Sequence, residues 1–199
     1  MSNLHRTLRN VYLRESLDDA YSMIASELND NARQMGINLP NAVVVNTNRV
    51  LKSINDIKDM SEGKVQWAGF GTSWFDWIRH NMPDWLAKYF YVLDINIENN
   101  DFFKVNSEVT LKMFSKLYIR NPNLPKDAAI DYQRLYDKQR YGVVFKPYKR
   151  TLAEPGSWYR SIDMDSVVIV NKKAIRSIKL LLDASEIIAD YKDRSSDDF

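Results

Sequence analysis

KVQWAGFGTSWFDWIRHNMPDWLAKYFYVLDINI, residues 64–97, holds four of the chain's five tryptophans: Trp67, Trp74, Trp77 and Trp85. Whether these rings build a core or face a partner decides how the rest of the chain is organised. Each large ring carries extensive apolar area, and an indole N–H needs a hydrogen-bond partner once buried. The first half is broken by Gly69, Gly71, Thr72 and Ser73. It reads as a strand-like piece over 64–70, where Val65 and Trp67 alternate with Lys64 and Gln66, followed by an aromatic loop. The second half reads as a helix entered through Pro83, whose missing N–H is not needed in a first turn. Leu86, Tyr89, Phe90, Leu93 and Ile97 form its apolar stripe. Core packing accounts for Trp85, Tyr89 and Phe90. Trp74, Phe75 and Trp77 cannot all point one way in a helix or a strand. At least one of the three is expected to face a neighbouring subunit or partner.

Outward from this block the chain reads mainly as helices. Ser16 is a plausible N-cap, Asp18 and Asp19 suit a helix N-terminus, and Leu17, Ala20, Tyr21, Ile24, Leu28 and Met35 recur at helical spacing until Gly36. Residues 42–45 read as a short strand or a buried connection. Val50, Leu51, Ile54 and Ile57 predict a second helix from near Thr47 to before Gly63. Ser107 and Glu108 open another, apolar over much of its circumference, with Val109, Met113 and Leu117 on one side and Leu111, Phe114 and Tyr118 on another. That pattern predicts the most buried helix of the chain. A further helix is predicted over 126–140, strands over 141–148 and 166–170, and a last helix carrying Ile175, Ile178, Leu181, Leu182 and Ile188. The expected fold is mainly α with a small β element, an α+β arrangement. It forms a single domain over 1–190, with an aromatic loop at 63–81, a small β region at 141–170 and a flexible tail over 191–199.

With 199 residues the chain is long enough for a substantial core. Its 28 basic and 26 acidic residues nearly balance, which argues against nucleic-acid binding over the whole surface but leaves room for a local patch. The absence of cysteine removes disulfides, thiolate zinc sites and cysteine nucleophiles together. No apolar run is long enough to span a membrane and the N-terminal stretch has no secretory core, so a soluble intracellular product is expected.

Chemistry-bearing motifs are sparse. Nucleophile-elbow, phosphate-loop and dinucleotide signatures are missing from the sequence. His80 with Asp84 could serve as an oriented base, but an isolated histidine beside an acid is more often a plain surface residue. Asp163 and Asp165, at i and i+2, would share one face of a strand and could join Glu154 around a divalent cation, yet spacing fixes no further oxygen ligand. The segment KQRYGVVFKPYKR, 138–150, interleaves Lys138, Arg140, Lys146, Lys149 and Arg150 with Tyr141, Phe145 and Tyr148, a composition able to neutralise phosphates and stack bases. The ordinary alternative is a solvated edge strand that uses lysine against aggregation.

Four segments together resemble the head-to-tail adaptor, or connector, proteins of tailed bacteriophages. They are LRESLDDAYSMIASELNDNARQMG (13–36), similar to a leading helix; NTNRVLKSIND (46–56), similar to the second; MPDWLAKYFYV (82–92), similar to an aromatic helix opened by Pro and an acid; and LKMFSKLYIRNPNLPKDAAIDYQRLYD (111–137), similar to a later helix pair. The resemblance implies a helical bundle with a loop or β excursion and an extended C-terminal segment. It also implies a non-enzymatic virion protein of the neck, assembled in the host cytoplasm as a homo-oligomeric ring between portal and tail proteins, without cofactor, metal or membrane. By the same resemblance Trp74 and Trp77 are candidate subunit contacts and Lys146, Lys149 and Arg150 are candidates to face DNA or the tail, while the residue pattern itself adds Phe75 to the interface and Lys138 and Arg140 to a segment that could face DNA in a channel or an acidic partner. The segment from Asp183 through Tyr191 to Phe199 is the one that reaches the portal. The alternative reading is a nucleic-acid-binding accessory protein acting through 138–150.

Overall fold

The structure is a computed structural model that describes residues 3–82, 85–124, 126–146, 158–162 and 164–196. Its centre is a seven-stranded sheet, which overturns the expectation of a mainly helical bundle. The strands are β1 (Val43–Thr47), β2 (Gln66–Phe70), β3 (Tyr89–Ile95), β4 (Phe102–Val105), β5 (Gly142–Phe145), β6 (Ser166–Ile169) and β7 (Ile175–Asp183). They lie in the order β4-β5-β6-β2-β1-β3-β7. Only β4 and β5 run parallel. Parallel neighbours need a long crossover, and here α3 (Glu108–Tyr118), α4 (Lys126–Ala129) and α5 (Tyr132–Asp137) supply it. The remaining helices are α1 (Asn3–Gln34), α2 (Ser73–Asn81) and α6 (Ser185–Ser196).

Both faces of the sheet are covered. On one face, Val44 of β1 and Phe90 of β3 meet Tyr21, Ile24, Leu28 and Ala32 of α1, Phe75 of α2 and Ile188 of α6. Further along that face, Val143, Phe145 and Val168 meet Phe114, Tyr118 and Leu135 from the crossover and Trp158. The other face, with Val43, Val45, Tyr91, Leu93, Val144 and Val167, is sealed by Leu51 and Ile57 from the segment between β1 and β2.

Three expected helices fold otherwise, each for an identifiable reason. The stretch 89–95, YFYVLDI, is a central strand. Tyr91 and Leu93 pack on one face and Phe90 and Val92 on the other, so it is apolar all round and its 3–4 spacing carries no helical information. Trp85, assigned to the core by sequence, is 62% exposed. Pro83 and Asp84 lie outside the described residues.

Ile175, Ile178, Leu181 and Leu182 belong to a strand as well. Register shifts against β3, opposite Phe90/Tyr91 and Asp94/Ile95, insert residues into the alternation. A period of two then looks locally like a period of three or four. The helix of this region begins only at Ser185.

The segment 48–63 contains 3-10 turns at Ile54–Asp56 and Met60–Glu62 instead of a helix. Its polar side chains bind the backbone locally: Asp56 accepts from the Lys52 and Ser53 N–H groups, Ser53 from Asn55, and Asp59 from Ser61. Such bonds compete directly with helix formation.

Of the expected caps, Ser16 is not one, since α1 already runs from Asn3 to Gln34 and Ser16 lies inside it, whereas Ser107 is. Ser107 accepts from the Thr110 N–H at the start of α3. The helix predicted over 126–140 is interrupted at Ile130, which bridges to Ile119, and restarts where Asp131 caps Arg134. Strands are present at 142–145 and 166–169 as the sequence suggests, but as inner strands of the large sheet.

Candidate functional site

The aromatic stretch between β2 and the end of α2 is tightly constrained where it leaves the sheet. β2 ends at Phe70, and the chain reverses through Gly71 at φ +54, where a Cβ would lie 2.8 Å from the Leu39 carbonyl oxygen. Only glycine combines that backbone angle with that approach. The Ser73 hydroxyl accepts from the Phe70 N–H at 3.0 Å, and the Thr72 hydroxyl donates to Asp76 at 2.8 Å, so α2 starts immediately. The expected loop is therefore a tight turn and a helix. Trp74 then seats against β2, its Cβ 2.9 Å from the position a Cβ on Gly69 would take.

Helical geometry divides the three aromatics. Phe75 points inward, 2% exposed, with its ring 5.0 Å from Tyr21 and 5.6 Å from Phe90. It is core, not a contact for another chain. Trp74 and Trp77, three residues apart and thus on one face, stack with centroids 5.3 Å apart and planes 16° from parallel. Both are half-buried. α2 is anchored to α1 by Arg79, which donates to Asp18 at 2.9 Å and lies 5.6 Å above the Tyr21 ring. The result is a flat indole pair on a rigid helix.

Among its described residues the basic segment does not form one patch. Lys138 caps α5, and Arg140 donates to the Asn100 carbonyl at 2.6 Å, both ahead of β5. Lys146 follows β5, its ammonium 6.0 Å from the Phe70 ring. β5 between them is a buried inner strand. Six residues of extended chain separate Arg140 from Lys146 by about 20 Å. Lys149 and Arg150 lie outside the described residues.

The structure thus places Lys146 at the end of the sheet where β2 leads into the indole pair, and places Lys138 and Arg140 at the other end. Asp165 is nearby: burial pushes its carboxyl above the usual value, and the Lys146 charge partly offsets this. Asp163 and Glu154 lie outside the described residues, and among the described residues no group of three His, Asp or Glu side chains is arranged to hold a metal ion. His80 Nδ1 lies 2.7 Å from the Asp76 carbonyl oxygen on its own helix, with Asp84 undescribed. Tyr191 is half-buried on α6, while Phe199 lies outside the described residues. No helix among the described residues is long and apolar enough to cross a membrane.

One surface runs against the sequence reading, which made α3 the most buried helix. α3 buries Phe114 and Tyr118 but leaves Val109, Met113 and Leu117 exposed at 67%, 51% and 37%. The signal was present as Lys112 and Lys116, which flank that stripe and would be costly to bury.

Comparison of the chain with protein-family models, with curated proteins and with solved structures finds no match.

Proposed function

We propose that this chain is a structural subunit that works by being assembled, a component of a phage head-to-tail junction that forms a homo-oligomeric ring between portal and tail. The observation that carries the reading is the Trp74–Trp77 stack. Two nearly parallel, half-buried indoles lie on a helix whose inner residues, Phe75 and Ile78, lock it to the core. Large, rigid, partly exposed aromatics are the residues that dominate interface energies. Holding them in one orientation before contact reduces the ordering cost of association.

The likeness to phage adaptors implied a helical bundle, which the seven-stranded sheet overturns. What the reading keeps from it is the sequence likeness of residues 13–36, which lie mostly in α1, and of 111–137, which span α3 to α5. Residues 46–56 and the described residues of 82–92 contain no α-helix, so they lend the reading nothing. The test is sedimentation of the full chain at micromolar concentration, alone and with a portal protein. A discrete oligomer is expected, and Trp77→Ala should shift it toward monomer while leaving the circular dichroism spectrum intact. A wild-type chain that stays monomeric in both settings, with indole emission unchanged on mixing, would refute the proposal.

A further inference from the structure

From one end of the sheet we infer a second surface, a basic rim that takes the phosphate backbone of nucleic acid without reading its sequence. It is separate from the indole pair and does not rest on ring assembly. Lys138 and Arg140 are cut off from Lys146, but the fold brings other cations to them. β2 and β5 begin where β6 ends, with Gln66 and Gly142 both opposite Ile169. The Tyr141 carbonyl accepts from the Val170 and Asn171 N–H groups at 2.9 and 3.2 Å, which sets Lys172 and Lys173 beside the turn that carries Lys138 and Arg140. Asp59 ties in a third stretch: its carboxylate accepts from the Lys172 N–H at 2.9 Å and its carbonyl from the Lys64 N–H at 3.1 Å. Glu62 pairs with the ammonium groups of both Lys58 and Lys172. Stretches 58–64, 138–140 and 171–173, distant in sequence, thus gather six cations at one end of the sheet.

Two arguments select the occupant. The first is uncompensated charge. The acids within these stretches are already engaged, since Asp59 is buried and Glu62 is shared by two lysines. Lys64, Lys138 and Lys173 are exposed and, like the half-buried Arg140, make no ion pair among the described residues. The Arg140 guanidinium meets a neutral acceptor, the Asn100 carbonyl. Even with Asp137 and Asp101 on adjoining residues, cations outnumber acids here. Compensating acids lie on α1, where Asp18, Asp19, Glu27 and Asp30 are exposed over 17–34 against Arg33. The near-neutral total therefore conceals a separation of charge over the surface.

The second is residue type. Five of the six cations are lysines, a residue depleted at protein–protein interfaces, whose cores are aromatic and apolar. None of the exposed large apolar side chains falls on these stretches, so a folded acidic partner would find nothing to bury. A phosphate backbone needs only the positive charge, because binding is driven by release of its condensed counterions. Contacts of this kind hold the strand without specifying bases.

The experiment titrates the full-length chain into a labelled random-sequence duplex and follows fluorescence anisotropy between about 50 and 200 mM salt. Affinity is expected to fall steeply, with a slope of log K against log salt of about −3 to −5 for four to five neutralised phosphates. Lys138→Gln/Lys173→Gln, two exposed positions from separate stretches, should weaken low-salt binding at least about tenfold and reduce the slope by about 2. Lys146→Gln, at the other end of the sheet, should leave both nearly unchanged. An unchanged urea midpoint verifies the fold of each variant. Salt-independent affinity, no binding at about 50 mM salt, wild-type affinity in the double variant, or an equal loss from Lys146→Gln would each overturn the inference. So would tighter binding of a polyglutamate peptide of equal charge, since the partner would then be an acidic protein. Trp77→Ala should leave the salt slope unchanged, which separates failure here from failure of the assembly reading.

Discussion

Replacing Gly142 with alanine tests the sheet at the point where it most differs from a helical bundle. Gly142 opens β5, opposite Phe102 of β4 on one side and Ile169 of β6 on the other. A Cβ there would lie 2.0 Å from the Val168 carbonyl oxygen, 3.0 Å from its carbon and 2.9 Å from Cε1 of Phe102. The first contact falls more than an ångström inside any tolerable approach and involves backbone, so relief requires β6 to move away from β5. That motion disturbs the ladder Gly142↔Ile169, Val143↔Val168, Val144↔Val167 and the fully buried side chains it carries. Overpacking of this kind costs about 3 kcal/mol, at the upper end of the usual range. For a chain of this size that corresponds to a fall of roughly 6–12 °C in Tm. Urea unfolding followed by tryptophan fluorescence and far-UV circular dichroism measures it directly. Gly63→Ala is the control: φ is +68 with nothing within 4 Å of the added carbon, so only left-handed strain of about 1–2 kcal/mol is expected. If Gly142→Ala costs no more than Gly63→Ala, β5 does not lie between β4 and β6.

Asp59 joins the segment before β2 to the turn after β6: it is 3% exposed and accepts from the Ser61 N–H at 3.1 Å, the Ser61 hydroxyl and the Lys172 N–H at 2.9 Å. Burial alone pushes its carboxyl up, but these donors, the Lys172 N–H foremost, hold it below the usual value. Because the folded value is the lower one, its contribution is complete above the unfolded pKa and is lost as pH falls through the folded value. Asp59→Asn should cost about 1–3 kcal/mol at neutral pH, and its penalty should shrink below about pH 4; a penalty independent of pH would contradict the assignment. At Asp131, hydrogen bonding to Arg120 leads the causes that lower the carboxyl, and the same side chain caps α5 through the Arg134 N–H at 2.9 Å. The ion pair is surface-exposed and the cap is not replaceable by water alone, so Asp131→Ala should cost about 1 kcal/mol and Arg120→Ala under about 0.5 kcal/mol. Equal losses in urea titrations of the two variants would show that the ion pair outweighs the cap.

Legibility in this sequence followed how locally each element is specified. α3 was readable because Ser107 caps it within three residues. β2 was readable because Gly69 and Gly71 punctuate it, although the reason Gly71 must be glycine, the Leu39 carbonyl oxygen standing where a Cβ would go, is one no sequence displays. β3 and β7 were unreadable for the opposite reason. β3 owes its state to neighbours on both sides, β1 and β7, and β7 hides its alternation behind two register shifts.

The same distinction bears on the two surfaces. The indole pair was half visible: three rings in four residues announced that some must face out, but only a helix starting at Ser73 determines that Trp74 and Trp77 stack while Phe75 turns inward. α3 was misjudged from correct observations. An apolar circumference predicts burial only if the fold supplies cover on every side, and a crossover helix lying on the outer layer of a sheet is covered on one side only. Its remaining apolar stripe, bordered by Lys112 and Lys116, is then the part of the pattern that the sheet itself does not use, because the buried side chains through which α3 meets the sheet are Phe114 and Tyr118.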